Sequence, residues 1–472
     1  MPTEPSASAL RAALLPLEAA LGGRARIVGG HVRDLLLGRE RGPDIDVVVE
    51  GVDAGVAAGW LRRHWGRPEP VVTFERFGTA QLACRTPPGG MIVEFVRARK
   101  EAYLPESRKP TVRAGTLDED VWRRDFTVNT LLLDGLGVVT DVTGMGLQDC
   151  FAGRLRTPLA PLATLAEDPL RMLRAARFAS QLGFDLDADL LQAMVQARDR
   201  IGIVSPERVR DELGKLLLAP TPSTGLRLLQ TTGLLAAVAP ELEAMVGVEQ
   251  SGYHVGDVFT HTLLAVDAAP PDRLVRLATL LHDVGKPATA QWADGRWTFH
   301  GHAQVGARLA LELGRRLRLP HREAEAVARL VALHMRPIQY QPEWDTRAVR
   351  RLRHDAGALL PALLAVARAD TMGSRYPSLA DLDDLATRLE TAAAELPLPV
   401  RSPLDGTQLK LRFGLADGPW IGRAQSRLVD AVVDGGVAPG DTVAAEAHLR
   451  ADRQAWEPRP GERGATPASG PA

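Results

Sequence analysis

The stretch Ile27–Glu50, IVGGHVRDLLLGRERGPDIDVVVE, decides the fold of the first part of the chain. An apolar run ending in Ile27 and Val28 breaks at the glycine pair Gly29-Gly30. A short helical pattern follows, with Arg33 and Asp34 in its first turns. Asp44-Ile45-Asp46 then opens a second apolar run, Val47-Val48-Val49. Alternate residues of a strand project to the same face, so Asp44 and Asp46 point together. Backbone N–H groups at a glycine turn leading into a helix suit a triphosphate. Paired carboxylates suit Mg²⁺, which binds through one or two carboxylates plus substrate phosphates. The combination implies metal-assisted nucleotidyl transfer.

Outward from this stretch, the pattern is mixed α/β as far as about Val142. Short apolar runs (IVGG, DIDVVV, MIVEFV, LLLDGLGVVT) alternate with helical and polar segments. From about Leu155 to Met245 the chain reads as helices with breaks at Gly183, Pro206, Pro220 and Gly233. The expected class is α+β: a small mixed-sheet head over 1–150, then mostly helical segments over 151–250, 251–390 and 391–456. The last sixteen residues, 457–472, are compositionally disordered.

Composition narrows the function classes. A chain of 472 residues suggests roughly three domains. The net charge of −1 gives no global nucleic-acid signal, so RNA contact has to come from local basic patches. Two distant cysteines, Cys84 and Cys150, are in no metal-binding spacing and suit a reducing cytoplasm. No signal peptide is evident, and no run of about twenty apolar residues suggests a membrane span.

Three further pieces support the opening stretch. Glu94, in the strand-like MIVEFVR, offers a third carboxylate, although alone it reads equally as a solvated strand residue. Arg123-Arg124-Asp125-Phe126-Thr127-Val128-Asn129-Thr130 gathers two guanidiniums, a carboxylate and an amide. Arginines clamp phosphates bidentately, and Asp125 and Asn129 could read a ribose hydroxyl. The bland alternative is a helix N-terminus with exposed charges. Glu167-Asp168-Pro169-Leu170-Arg171 places Asp168 and Arg171 three apart, on one helix face. An acceptor beside a donor matches the edge shared by cytosine and adenine and mismatches uracil and guanine. A buried mismatch costs about 1–3 kcal/mol per unpaired group. Here the bland alternative is an ordinary i,i+3 salt bridge.

GGHVRDLLLGR with DID, RRDFTVNT and EDPLRMLRAARF occur in order at plausible spacing. Together they closely resemble the bacterial class II tRNA nucleotidyltransferase and poly(A) polymerase family over residues 25–215. Ser205-Pro206-Glu207-Arg208-Val209 is similar to that family's last neck motif. The resemblance implies a head with a five-stranded sheet and a helical neck. It implies that Asp44 and Asp46 bind catalytic Mg²⁺, and that Gly29, Gly30 and Arg33 contact the triphosphate. Arg124, Asp125 and Asn129 would hold sugar and phosphates. Asp168 and Arg171 would template the incoming CTP or ATP, with Arg174 and Arg177 lining the pocket. In such two-metal chemistry an RNA 3′-hydroxyl attacks the α-phosphate in line, pyrophosphate leaves, and no separate protein base is required.

Eight of the eleven histidines lie between His254 and His354. A His-Asp doublet, His282-Asp283, ends an apolar helical run, where two adjacent polar groups are costly unless they bind something. Imidazoles with carboxylates suit a divalent transition metal, with Mg²⁺ or Mn²⁺ compatible with a carboxylate-rich site. The order His261, His282-Asp283, Asp370 resembles the HD phosphohydrolase domain, which implies that these four hold the metal. His302 and His334 resemble the extra histidines that some members use for a second ion or for phosphate. Isolated histidines such as His64, His321 and His354 read as surface or satisfied core residues.

Basic stripes occur at Arg315-Arg316-Leu317-Arg318 with Arg322, at Arg108-Lys109 with Arg113, and at Arg347, Arg350, Arg351 and Arg353. They suit sequence-independent phosphate contacts, although a solvated helix face is the commoner meaning of any one stripe. Gly406–Gly436 resembles the family's tail, which grips folded tRNA. Members of the family add CCA, only CC, only the final A, or poly(A). The loop from Arg99 to Trp122 is close to full length, which disfavours CC-only addition. A reading from another class is an inactive head on an HD phosphohydrolase.

Overall fold

The computed structural model describes residues 6–457 apart from 41, 76–77, 85–89, 105–106, 253–254 and 376–377. The disordered tail expected at 457–472 lies outside the described residues apart from Glu457. The chain divides into two compact units, residues 1–243 and 244–472.

The first unit is built on a sheet. Strands β1 (Arg24–Val28), β2 (Asp44–Glu50), β3 (Val71–Phe74), β4 (Thr79–Cys84) and β5 (Met91–Arg97) come first. β6 (Arg99–Leu104) and β7 (Ser107–Ala114) form a separate hairpin, and β8 (Leu132–Leu133) and β9 (Val139–Thr140) complete the set. Among the described residues the sheet has seven strands in the order β3-β4-β5-β2-β1-β8-β9. The pair β2–β5 is parallel and the other pairs are antiparallel. The family resemblance implies five strands; the observed sheet adds β8 and β9, each only two residues long. The Arg99–Trp122 segment, expected as a loop, is the β6–β7 hairpin followed by a helix, Leu117–Trp122.

Strand β2 shows why the site forms where it does. Ile45, Val47 and Val49 face a core shared with Leu10, Leu14 and Leu17 of the helix Ala7–Leu21, and with Ala57, Ala58 and Leu61 of the helix Ala54–His64. Asp44, Asp46 and Val48 alternate to the other face. Val48 is buried there with Val28, Leu117 and Val121, so the helix Leu117–Trp122 covers that end of the strand. Asp44 and Asp46, nearer the strand's start, stay open to solvent. The rest of the unit is mostly helical, including Pro161–Glu167, Leu170–Leu182 and Pro206–Leu217, with one short parallel pair, Arg154–Leu155 beside Asp185–Leu186.

The second unit is helical except for a small hairpin, Gln291–Ala293 with Arg296–Thr298. Helices Val258–Ala268, Arg273–Leu281, His302–Arg316, His321–Leu333 and Leu360–Met372 supply or adjoin the clustered histidines. The tail helices Gly406–Phe413, Trp420–Val433 and Thr442–Ala451 pack around buried Trp420 and Trp456. Among the described residues, no helix is long and apolar enough to cross a membrane.

Candidate active sites

The antiparallel register pairs Val28 with Asp46, so β1 ends beside Asp46 and the chain turns there through Gly29. Gly29 has φ 72° and ψ −145°, a conformation that side chains other than glycine's avoid. A Cβ at Gly29 would lie 3.4 Å from the Asp46 Oδ2 and 3.8 Å from the Arg124 Nη1. The parallel register pairs Asp46 with Glu94, which puts the third carboxylate on the neighbouring strand. Gln81 donates to Glu94 at 3.2 Å. Partial burial raises the pKa of Asp46 above the ordinary carboxylate value. Arg124 opposes that rise, and Glu94 and Asp44 add to it. Three carboxylates on two neighbouring strands are a donor set that suits a hard divalent cation. Gly29→Ala is expected to cost about 1–3 kcal/mol through backbone strain and to raise the KM for nucleotide. Thermal unfolding and steady-state kinetics would check it, and wild-type values for both would refute it.

Behind the carboxylates runs a buried polar network. Arg33 grips Asp34 at 2.8 and 3.0 Å and donates to the Asn129 Oδ1 at 2.8 Å. Asn129 donates to the Asp125 Oδ1 at 3.1 Å, and Arg174 donates to the Asp125 Oδ2 through Nε at 2.9 Å and Nη2 at 2.5 Å. Burial alone would raise the Asp125 pKa, but Arg174 and the Asn129 hydrogen bond hold it well below the ordinary carboxylate range. Arg177 donates to Glu212 at 2.6 Å. The guanidiniums of Arg33, Arg174 and Arg177 lie 5.5, 5.4 and 4.1 Å from the Phe178 ring centre. The RRDF segment is therefore no exposed helix N-terminus. It follows the C-terminal end of the helix Leu117–Trp122, and Asp125 and Asn129 are buried. Arg33 also points inward, onto Asp34 and Asn129 rather than into solvent.

Asp168 and Arg171 are not ion-paired with each other. Asp168 lies between two helices in extended backbone, with φ −136° and ψ 98°, so the i,i+3 rule does not apply to it. Its carboxylate takes Arg208 at 2.8 Å. Arg171 donates to the carbonyls of Thr164 at 3.1 Å and Arg123 at 2.5 Å, and lies 3.4 Å from Glu167. Sequence reasoning missed Asp120, Glu212 and Phe178 as members of this network. Arg208 stands in the sequence only within the Ser205–Val209 motif.

The second candidate site lies in the 244–472 unit. The Nε2 atoms of His261 and His282 are 3.3 Å apart, as are those of His302 and His334. Asp370 Oδ1 is 3.0 Å from His261, and Asp283 Oδ2 is 3.1 Å from His282. The other Asp283 oxygen, Oδ1, faces His302 at 3.5 Å and His334 at 3.8 Å. Each histidine turns its Nδ1 toward a backbone carbonyl: Gly373 at 3.3 Å, Thr279 at 2.6 Å, Phe299 at 2.8 Å and Val331 at 2.7 Å. That pattern assigns the proton to Nδ1 and turns the Nε2 lone pairs inward. Two facing ring nitrogens repel unless a proton or a metal ion lies between them. The buried nitrogen and carboxylate donors therefore fit divalent transition metal, in two groups that share Asp283.

Among the protein groups themselves the charge is uneven. Burial works against protonated His282, but Asp283 and Asp370 override it and hold its pKa up at about 9. Burial, with His282 nearby, drives His334 down to about 4. Lys286 Nζ, unpredicted, lies 2.6 Å from the Asp283 Oδ2 and donates to Gln250 at 2.7 Å. Gly285 permits the arrangement, because a Cβ there would run into the His302 carbonyl. A cavity of about 780 Å³ opens beside the cluster, lined by Asp283, His302, Asp370, Lys286, Arg296, Arg336, Trp297 and Phe299.

The basic stripes fare differently. Arg347 and Arg351 pair with Asp434 at 2.9 and 2.6 Å, Arg351 also takes Asp430 at 2.6 Å, and Arg350 takes Glu395 at 2.6 Å. Arg353 donates to the Leu396 carbonyl. This stripe joins helices of its own unit. The side chains of Arg108 and Lys109 lie outside the described residues. Of the isolated histidines, His321 is exposed and pairs with Glu325, and His64 stacks on Trp60.

A strand-borne carboxylate cluster beside a glycine turn, backed by arginines, is the arrangement of a nucleotidyl-transfer head, and the second site is that of an HD metal centre. Residues 25–156 match the family described as Poly A polymerase head domain. Residues 183–246 match that described as probable RNA and SrmB-binding site of polymerase A, and 252–372 match the HD domain. A CC-adding tRNA nucleotidyltransferase of Thermus thermophilus is 36% identical over 87% of this chain and 90% of its own. An A-adding tRNA nucleotidyltransferase of Deinococcus radiodurans is 35% identical over 86% and 91%. The CCA-adding enzyme of Bacillus stearothermophilus, solved in complex with CTP, shares the fold. Its TM-score is 0.67 at 23% identity, over 95% of this chain and 99% of that one. The chain belongs to the tRNA nucleotidyltransferase and poly(A) polymerase family.

Proposed function

We propose that this chain adds C and/or A from CTP and ATP to the 3′ end of tRNA, in the cytoplasm. The observation that carries the reading is the register that sets Asp46 beside Glu94 and the Gly29 turn. Asp44 and Asp46, with Glu94 alongside, would hold Mg²⁺. Bound there, it would activate the RNA 3′-hydroxyl and neutralise charge on the phosphates. The chain's own groups do the rest. Arg124 meets the phosphates beside the glycine turn. Asp125 and Asn129, already joined by a hydrogen bond, orient the ribose. Asp168 and Arg171 read the base, with Asp168 steadied by Arg208. Arg174 and Arg177 close the pocket around Phe178. In this reading transfer belongs to the head (1–150), base selection to the neck (151–250) and RNA grip to the tail (391–456).

Among the relatives, one is named CC-adding, one A-adding and one a multifunctional CCA protein, so similarity does not fix which nucleotides this chain adds. Three tRNA transcripts, ending at the discriminator base, at C and at CC, would test it with CTP and ATP given separately and together. Extension of a transcript by C, A or both is the expected result. Failure to extend any of them would overturn the proposal.

A second activity rests on the second site. The HD region (251–390) would hold divalent metal through His261, His282, Asp283 and Asp370, with His302 and His334 facing the other Asp283 oxygen. Its cavity is lined by Arg296, and by Lys286 and Arg336, which pair with Asp283 and Asp355; a phosphate ester would meet these cations there. Metal-dependent phosphohydrolysis is the activity that this donor set and cavity support.

A further inference from the structure

Asp120 is almost fully buried at 1% exposure, yet neither the motif reading nor the two-carboxylate chemistry uses it. It sits on the helix Leu117–Trp122, which starts with a Thr116/Glu119 capping box. Leu117 and Val121 of that helix are buried with Val28 and Val48 of the sheet. The Leu117 N–H also donates to Glu50 of β2 at 3.0 Å. The helix is therefore fixed to the strand that carries Asp44 and Asp46.

The Asp120 carboxylate divides its two oxygens between two arginines. Oδ1 accepts from the Arg123 Nε at 3.0 Å and from its Nη2. Oδ2 accepts from the Arg124 Nε at 3.2 Å and its Nη2 at 2.9 Å. One edge of the Arg124 guanidinium is thus held by Asp120. The other edge carries Nη1, which is 3.4 Å from the Asn129 carbonyl and beside the Gly29 turn and Asp46. We infer that Asp120 is a positioning residue for nucleotide binding: it presents the Nη1 edge of Arg124 to the phosphates at the Gly29 turn and keeps that guanidinium from collapsing onto Asp46.

The physical reason is competition between carboxylates. A guanidinium has five donors in a rigid fork and pairs with whichever carboxylate is near. Without Asp120, the acidic group beside Arg124 is Asp46 itself. An ion pair there would consume both the phosphate clamp and a carboxylate of the catalytic site. Fixing the arginine from behind leaves it oriented before the nucleotide arrives, which lowers the cost of binding.

The inference rests on the nucleotidyl-transfer reading of the head, and the test separates the two. Asp120→Asn keeps the shape and removes the charge. Its CTP affinity is to be measured by calorimetry, without RNA, and its KM and kcat on a tRNA transcript by steady-state kinetics. The expected result is a CTP affinity about tenfold weaker and a KM about tenfold higher, the effect of losing a single oriented charge-assisted contact, with kcat within about threefold of wild type. In an Arg124→Gln background, Asp120→Asn is expected to add little, because the two residues act as one unit. Asp120→Glu retains the buried charge and shifts it by one methylene; it carries the same test should the Asn variant not fold. A variant with a lowered Tm but unchanged CTP affinity and KM would overturn the positioning role. So would a full additional loss on top of Arg124→Gln. A wild-type protein that neither binds CTP nor extends tRNA would overturn the underlying reading instead, and the inference with it.

Discussion

Asp46→Ala is expected to abolish nucleotide addition while leaving the protein at least as stable as the wild type. The two halves of this result come from the same geometry. Asp46 projects from β2 with Asp44 on its own strand and Glu94 in register on β5. Burial and those two neighbours raise its pKa, so the folded protein holds this carboxylate at a cost that Arg124 only partly offsets. Alanine removes a repelled charge from a position whose side chain the core does not use. The melting temperature should therefore stay level or rise. Activity should move the other way. A metal-held transition state is stabilised by several kcal/mol, so addition of C or A should fall by at least about a thousandfold, since each 1.36 kcal/mol is tenfold in rate. Phosphohydrolysis should survive, because its donor set lies in the 244–472 unit. Wild-type addition by Asp46→Ala would remove Asp46 from the chemistry. A collapse in Tm would show that the carboxylate is structural.

What could be read in advance depended on how local the determinant was. The DID stretch was legible because alternation is a one-strand property: Ile45 and Val47 had to go inward and Asp44 and Asp46 outward. Glu94 gained its place from the parallel register with β2, which no short-range pattern encodes. Strands Val71–Phe74 and Thr79–Cys84 carry no clear strand signal, because the first is a mostly exposed edge and the second alternates with small and polar residues. The i,i+3 spacing of Asp168 and Arg171 makes no salt bridge, because one helix stops and the next begins at Pro169, and Asp168 pairs forty residues away with Arg208. The arginine stripe at Arg347–Arg353 looked like a solvent-facing phosphate surface, but it meets Asp430, Asp434 and Glu395 from later in the chain. The histidine cluster was visible as a density of one residue type. Its tautomers were not, because they depend on four backbone carbonyls.

Asp283→Ala should empty the second site more completely than any single histidine substitution. Among the described residues, Asp283 is the one carboxylate whose two oxygens face different histidine pairs: Oδ2 toward His282 and His261, Oδ1 toward His302 and His334. His302→Ala removes a donor from one group and leaves His261, His282, Asp283 and Asp370 in place. Elemental analysis of purified protein should therefore show metal retained in part by His302→Ala and lost by Asp283→Ala. Phosphohydrolysis should fall to background in Asp283→Ala and in His282→Ala. Stability gives an independent reading. Lys286 is buried against Asp283 at 2.6 Å, and removing one partner of a buried pair costs about 3–5 kcal/mol. The unfolding of Asp283→Ala should shift down accordingly, and His302→Ala should shift less. Nucleotide addition should be spared in all three variants, because the transfer residues lie in the other compact unit. Loss of addition together with hydrolysis would mean that this unit is needed for the head to fold or to hold tRNA. Full metal content in Asp283→Ala would show that the carboxylate between the two histidine pairs does not bridge them.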